Sequence, residues 1–254
     1  MNAQVSGQIS LGKVFGVEVS DELRGIVREP AALFFSVLMP VGFFALFVSL
    51  FGKFSEGGMS AGTTMIATFG AFGVISVVLM NPGLGVAADR DRGWLRAKQV
   101  SAVPISVTLV AKVVAALPYA AGVLIAMTAT AAVSGALTAP LPALLRVLVV
   151  LVAGALPFAM LSLAIGFQVG PGAGAAVLNA LLIPTSVVSG LWMPLEIMPA
   201  FFRDVAVFLP NYHLAELARA QLTGGPVLSH VLYLIGFAIV ASVLAAVSYR
   251  HARS

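Results

Sequence analysis

Residues 147–195 read VLVVLVAGALPFAMLSLAIGFQVGPGAGAAVLNALLIPTSVVSGLWMPL and carry no charged side chain. A helix crosses the hydrocarbon core of a bilayer in roughly 20 apolar residues, so this stretch has room for two crossings. Gly170 and Pro171 near its middle mark a tight turn between them. The pattern extends outward in both directions. No Asp, Glu, Lys or Arg falls between Glu29 and Lys53, between Glu56 and Asp89, between Lys112 and Arg146, or between Arg219 and Arg250. Over all 254 residues, 60% are hydrophobic and 9% are charged. A soluble domain carries about 25% charged residues, so a soluble globular protein is excluded. Lipid cannot satisfy free backbone groups, and continuous apolar runs lack the alternation of barrel strands. The fold class is therefore an all-α integral membrane protein.

Six spans are expected, at 31–52, 61–82, 112–134, 143–167, 174–193 and 229–249. With the N-terminus inside, the inner side holds Lys13, Arg24, Arg28, Arg90, Arg92, Arg96, Lys98, Lys112, Arg250 and Arg253. The outer side holds Lys53, Arg146, Arg203 and Arg219. That excess of basic residues predicts cytoplasmic termini. Lys112 and Arg146 fall at span ends, where long side chains snorkel to the headgroups. The first 30 residues are too polar and acidic for a signal peptide, so the first span is expected to stay as an anchor. The whole chain, 1–254, reads as one transmembrane domain. Its largest extramembrane pieces are 1–30, 83–111 and 194–228, each too small for a core of its own. There is no cysteine, hence no disulfide or thiolate chemistry. No ionisable group falls deep in a span, which argues against an ion-coupled carrier. Any work the protein does is expected to come from another chain.

Three segments outside the spans are informative. In 19–30, Ser20 is positioned to cap a helix whose first turn carries Asp21 and Glu22. Val19, Leu23, Ile26 and Val27 share one face, Arg24, Arg28 and Glu29 lie off it, and Pro30 ends it. This predicts an amphipathic helix in the inner interface. In 88–98, Asp89, Arg90, Asp91, Arg92, Arg96 and Lys98 form the densest charge cluster, with Gly93 as a helix breaker and Trp94 suited to an interface. Topology needs only the bases; the interleaved acids suit docking to a soluble partner. In 189–225, Pro194, Pro199 and Pro210 punctuate two short helices. One carries Phe201, Phe202, Val205 and Phe208 on an apolar face; the other is expected to be capped by Asn211 and ended by Gly224. Too short to span, they predict a re-entrant pair.

Two other chemistries are tested by the same residues. Gly7 to Lys13 has most of a phosphate loop, but position 14 is Val rather than Ser or Thr and no strand precedes it. Ser189, with His213 or His230, offers the residue types of an intramembrane serine hydrolase, although position 187 is Val where that site needs Gly.

The order of these pieces resembles the membrane subunit of an ABC-2 type exporter along nearly the whole chain. The resemblance rests on Arg28-Glu29-Pro30 closing the amphipathic helix, Pro40 in the first span, and Asp89-Arg90-Asp91-Arg92-Gly93-Trp94-Leu95 followed by Pro104. It rests further on Ser189-Gly190 through Pro194, Pro199, Leu209-Pro210 and Glu216-Leu217-Ala218-Arg219. Asp89 stands where the family often has Glu, which keeps the charge. The resemblance implies a permease of the bacterial inner membrane, paired with a second permease subunit, identical or related, and with two cytoplasmic ABC ATPase subunits. ATP and Mg²⁺ would bind those partners, with no cofactor, metal or nucleic acid on this chain. Asp89, Arg90, Asp91, Arg92, Gly93, Trp94, Leu95 and Arg96 would couple to the ATPase. Leu23, Arg24, Arg28 and Glu29 would belong to the interfacial helix. Ser189, Gly190, Pro194, Glu196, Pro199, Pro210, Glu216 and Arg219 would fall in the outer gate. The implied cargo is a hydrophobic or amphipathic compound, a lipid or a glycan. The alternatives are the serine hydrolase and a non-transporting membrane scaffold.

Overall fold

Each long apolar run becomes a helix, as backbone groups surrounded by lipid require. The computed structural model describes residues 10–56, 59–94, 97 and 104–253. Among them, six helices are long and apolar enough to cross a membrane: Phe34–Phe51, Ala61–Asp91, Ile105–Val133, Leu141–Gly166, Pro171–Val188 and Leu228–Ala252. These are spans one to six in chain order. A helix over Leu11–Arg28 precedes them. Between spans five and six lie a short turn, Leu195–Ile197, and the helices Ala200–Ala206 and Pro210–Thr223. A two-residue antiparallel ladder, Ser55 opposite Ser60 and Glu56 opposite Met59, joins spans one and two. Span four breaks at Ala155, between Leu141–Gly154 and Leu156–Gly166, just ahead of Pro157.

Several expected boundaries move. Span two does not end at Pro82; it runs on to Asp91 with Pro82 buried inside it, and span three begins at Ile105. Much of the expected 83–111 loop is thus helix. Charge marks where a chain leaves lipid, whereas a helix stops where its backbone turns, here at Gly93 with φ +74°. The N-terminal helix likewise starts at Leu11, so Ser20 lies in its middle and caps nothing. Asn211 is inside its helix rather than its cap. Pro210 takes the first position, which suits its fixed φ and missing N–H, and Asn211 Nδ2 instead donates to Thr185 Oγ1 at 3.1 Å.

Span two is the hub. Of its most apolar window, 83% is buried, against 11% for span six. It packs against spans one, three, four and five and against Pro210–Thr223. Its N-terminal end is fixed by hydroxyls. Thr63 N–H donates to Ser60 Oγ at 3.3 Å, Thr138 N–H to Thr63 Oγ1 at 2.8 Å, and Ser60 N–H to Thr138 Oγ1 at 3.2 Å. This ties the turn after span one to the turn after span three. In span one a wide π-type turn covers Phe34–Leu38, and Ser76 Oγ of span two donates to the Phe35 carbonyl at 3.0 Å. Toward the C-terminal end of span two, spans two and four touch backbone to backbone. A Cβ on Gly166 would collide with the Gly83 carbonyl oxygen, and Ser162 Oγ donates to the Leu79 carbonyl beside it.

That contact has no room for a side chain. Gly166→Val is expected to cost about 1–3 kcal/mol through overpacking, read as a lower apparent melting temperature in detergent. Gly172→Ala, where an added Cβ meets nothing within 4 Å, should melt as the parent does.

Candidate functional site

The end of the bundle where span two finishes and span three begins is organised by a buried ammonium. Lys112 lies about two turns into span three with 3% of its side chain exposed, not at a span end reaching for headgroups. Its Nζ donates to Glu22 Oε1 at 2.6 Å and lies 2.9 Å from Asp89 Oδ2. The second contact is an ion pair by distance, outside hydrogen-bonding angles. An isolated buried ammonium costs several kcal/mol, so Lys112 must gather carboxylates. It draws one from the N-terminal helix and one from the end of span two. One side chain thereby fixes three elements. Tyr119 OH, two turns further along span three, donates to the Leu23 carbonyl at 2.8 Å, and Ile26 is buried nearby on the same helix. The packed face of that helix therefore includes Glu22, and Val27, expected there, is 59% exposed.

Asp89 is turned inward, while its neighbours Arg90, Asp91 and Arg92 are exposed, with Trp94 also exposed beyond Gly93. Leu95, Arg96 and Lys98 lie outside the described residues, as do Gly7 to Ile9. On the N-terminal helix, Arg24 pairs with Asp21 at 3.8 Å, both well exposed, a contact worth little in water. Arg28 and Glu29 are exposed.

On the opposite side, Gly190 turns the chain out of span five with φ +71°, and Leu195 folds over it so closely that a Cβ would stand 2.6 Å from Leu195 Cγ. Pro194 and Pro199 each precede a short helical element, and Glu196 is exposed. Phe201 and Phe208 are exposed while Phe202 and Val205 are half-buried, so the expected apolar face of this helix is split. Pro210–Thr223 buries Asn211, His213, Leu214, Ala215, Leu217 and Ala218 against spans two, four and six. Arg219 Nη1 donates to Glu216 Oε1 at 3.1 Å.

His213 Nε2 lies 2.9 Å from the Val207 carbonyl and its Nδ1 lies 2.9 Å from His230 Nδ1. A carbonyl can only accept, so Nε2 carries a hydrogen; the neutral ring then accepts at Nδ1 from His230. Tyr233 stacks on His213 with centroids 3.8 Å apart and its hydroxyl donates to the Phe208 carbonyl at 2.6 Å. Ser189 is buried and its Oγ has no hydrogen-bond partner. Neither histidine is hydrogen-bonded to it, so the serine–histidine dyad of a hydrolase is not assembled. Among the described residues, no three His, Cys, Asp or Glu side chains group as metal ligands.

Comparison with known proteins places this chain in a family. The family model described as ABC-2 type transporter matches residues 14–223. The chain belongs to the ABC-2 type transporter family. It is also 23% identical over 225 residues to the "Putative transport permease YvfS" of Bacillus subtilis (strain 168), covering 88% of this chain and 91% of that protein.

In this ABC-2 type protein the sequence pointed to Asp89 and to the helix around Leu23 but not to what joins them. Lys112 was readable only as a lysine beyond the edge of an apolar run. The one hint was that Ile105 to Ala111 keep an apolar pattern before it. Glu22 is 90 residues away in the chain, and no local spacing links the two.

Lys112→Met leaves two carboxylates facing each other without a cation. The expected loss is roughly 1–3 kcal/mol, less than for a sealed pair because water reaches both carboxylates. It should appear as a lower melting temperature together with faster hydrogen exchange over 11–28; unchanged exchange there would show that Lys112 does not hold the helix. A second expectation concerns pH. Burial chiefly, and His230 to a lesser degree, push the His213 pKa below its usual value, with the Val207 carbonyl opposing. Charging His213 therefore opposes the folded state. Its contribution is complete above the ordinary histidine pKa of about 6.5 and is lost as pH falls below it. Between about pH 7.5 and 5.5 the melting temperature should fall more in the parent than in His213→Gln.

Proposed function

We propose that this chain is the permease subunit of an ATP-driven exporter of the bacterial inner membrane. It would work with a second permease copy or relative and with cytoplasmic ABC ATPase subunits that bind ATP and Mg²⁺. Both termini would face the cytoplasm. The cargo class is a hydrophobic or amphipathic compound, a lipid or a glycan. Family membership supports the transport reading. The observation that carries the coupling is the Lys112 triad. It joins the N-terminal helix to the end of span two immediately before the exposed charges of Arg90, Asp91 and Arg92. A soluble partner pressing on that charged end would move Asp89, and through Lys112 both span three and the N-terminal helix.

On this reading Arg90, Asp91, Arg92, Gly93, Trp94, Leu95 and Arg96 form the docking segment, and Asp89 passes its displacement inward. Leu23, Arg24, Arg28 and Glu29 belong to the helix that moves with it. The segment from Ser189 and Gly190 through Pro194, Glu196, Pro199, Pro210, Glu216 and Arg219 serves as the outer gate. Its buried helix, Pro210–Thr223, sits against spans two and four, where a shift of span two is felt directly.

Charge reversal at Arg92 tests the coupling, because Arg92 is exposed and closes the helix of span two without packing into the core. Arg92→Glu should insert and melt as the parent does. Co-reconstituted with the ATPase, it should lose most ATP-dependent cargo movement. Parental transport in that variant would remove Arg92 from the docking surface.

A further inference from the structure

Span four and the end of Pro210–Thr223 border a shallow, open groove of about 280 Å³ lined by Leu145, Arg146, Val149, Val150 and Gln221. Arg146 Nη2 donates to the Gln221 carbonyl at 3.3 Å. That uses one of the five N–H donors of a guanidinium. Among the described residues no carboxylate forms an ion pair with it. Leu145 and Val149 are 50% and 65% exposed, so the apolar wall is open to the surroundings. Span four starts at Leu141. At 1.5 Å per residue Arg146 sits about 8 Å into the helix, and Val149 and Val150 lie about one turn deeper. A helix that starts at the membrane surface carries an arginine at that distance to the boundary between headgroups and acyl chains.

We propose that this groove holds one anionic phospholipid, its phosphate on Arg146 and one acyl chain along Val149 and Val150. The charge is complementary, and the planar guanidinium presents paired donors that match two phosphate oxygens. The valine wall below supplies a dry surface that a free anion would not use. The lipid phosphate would sit where span four meets the outer helix and would reinforce the single hydrogen bond from Arg146 to Gln221. Its role is positional: it pins the end of Pro210–Thr223 to span four. This site needs no ATPase and no cargo, so it stands or falls apart from the exporter reading.

The test is lipid titration of the purified, delipidated chain in detergent. Phosphatidylglycerol or phosphatidylcholine is added, and bound lipids per chain are counted by native mass spectrometry. Phosphatidylglycerol should fill one site ahead of all others, and phosphatidylcholine should not. Loss of a charge-assisted contact should weaken that site at least about tenfold in Arg146→Gln. Arg146→Lys, which keeps the charge and loses the paired donors, should weaken the site less than Arg146→Gln does. Val149→Trp, which fills the groove and leaves the charge in place, should weaken it as well. Parental binding in Arg146→Gln would overturn the proposal, and so would equal binding of the two lipids. Displacement by inorganic phosphate, with Val149→Trp unaffected, would make this a free-anion site and overturn the lipid. Melting temperatures of the variants equal to the parent exclude misfolding as the cause.

Discussion

A buried ammonium cannot stay alone, and one end of this bundle is arranged around the one on Lys112. Burial makes the charge expensive, so its carboxylates must come from whatever elements are near. Here they are Glu22 and Asp89, on two different helices. The need for neutrality at one atom thus sets where the N-terminal helix lies against the bundle. It also explains why Asp89, within a cluster of exposed charges, faces the opposite way from Arg90 and Arg92. The remaining contacts at that end, Tyr119 to Leu23 and the burial of Ile26, build on that placement.

Span two gives the placement its reach. It is the most enclosed of the six, and its two ends are held by different chemistry. Hydroxyls and backbone amides fix its N-terminal end around Ser60, Thr63 and Thr138, and the ion triad fixes its C-terminal end at Asp89. In between, Ser76 supplies a hydrogen bond to the Phe35 carbonyl, within the stretch where span one winds wide. Polar side chains in this protein mainly serve backbone groups, which water would satisfy in a soluble protein.

The number and order of spans were legible because charge is excluded from lipid, and the gaps between charges record that exclusion. The three outer prolines were legible for a similar reason, since each fixes φ and removes a donor wherever it occurs. Helix ends near the membrane surface were not legible. Gly83 to Asp91 and Ile105 to Ala111 are helical past the point where the hydrophobic signal fades, and Leu11 to Val19 extend a helix whose apparent cap at Ser20 is internal. Of the candidate site, the charged end of span two and the outer segment could be read from composition and spacing. The link from Lys112 to Glu22, and the pairing of His213 with His230, depend on which helices lie side by side. One sequence carries no local trace of that.

The close approach of Gly83 and Gly166 bears on how stiff the molecule is. Side chains between helices act as padding, since they change rotamer and absorb small displacements. Where two backbones meet directly there is nothing to compress. Twelve residues earlier in span four, before the break at Ala155, Gly154 is approached closely only by the side chain of Leu214, which can still give way. Spans two and four therefore behave as one strut at the level of Gly83 and Gly166, and the bundle is free to yield beyond it.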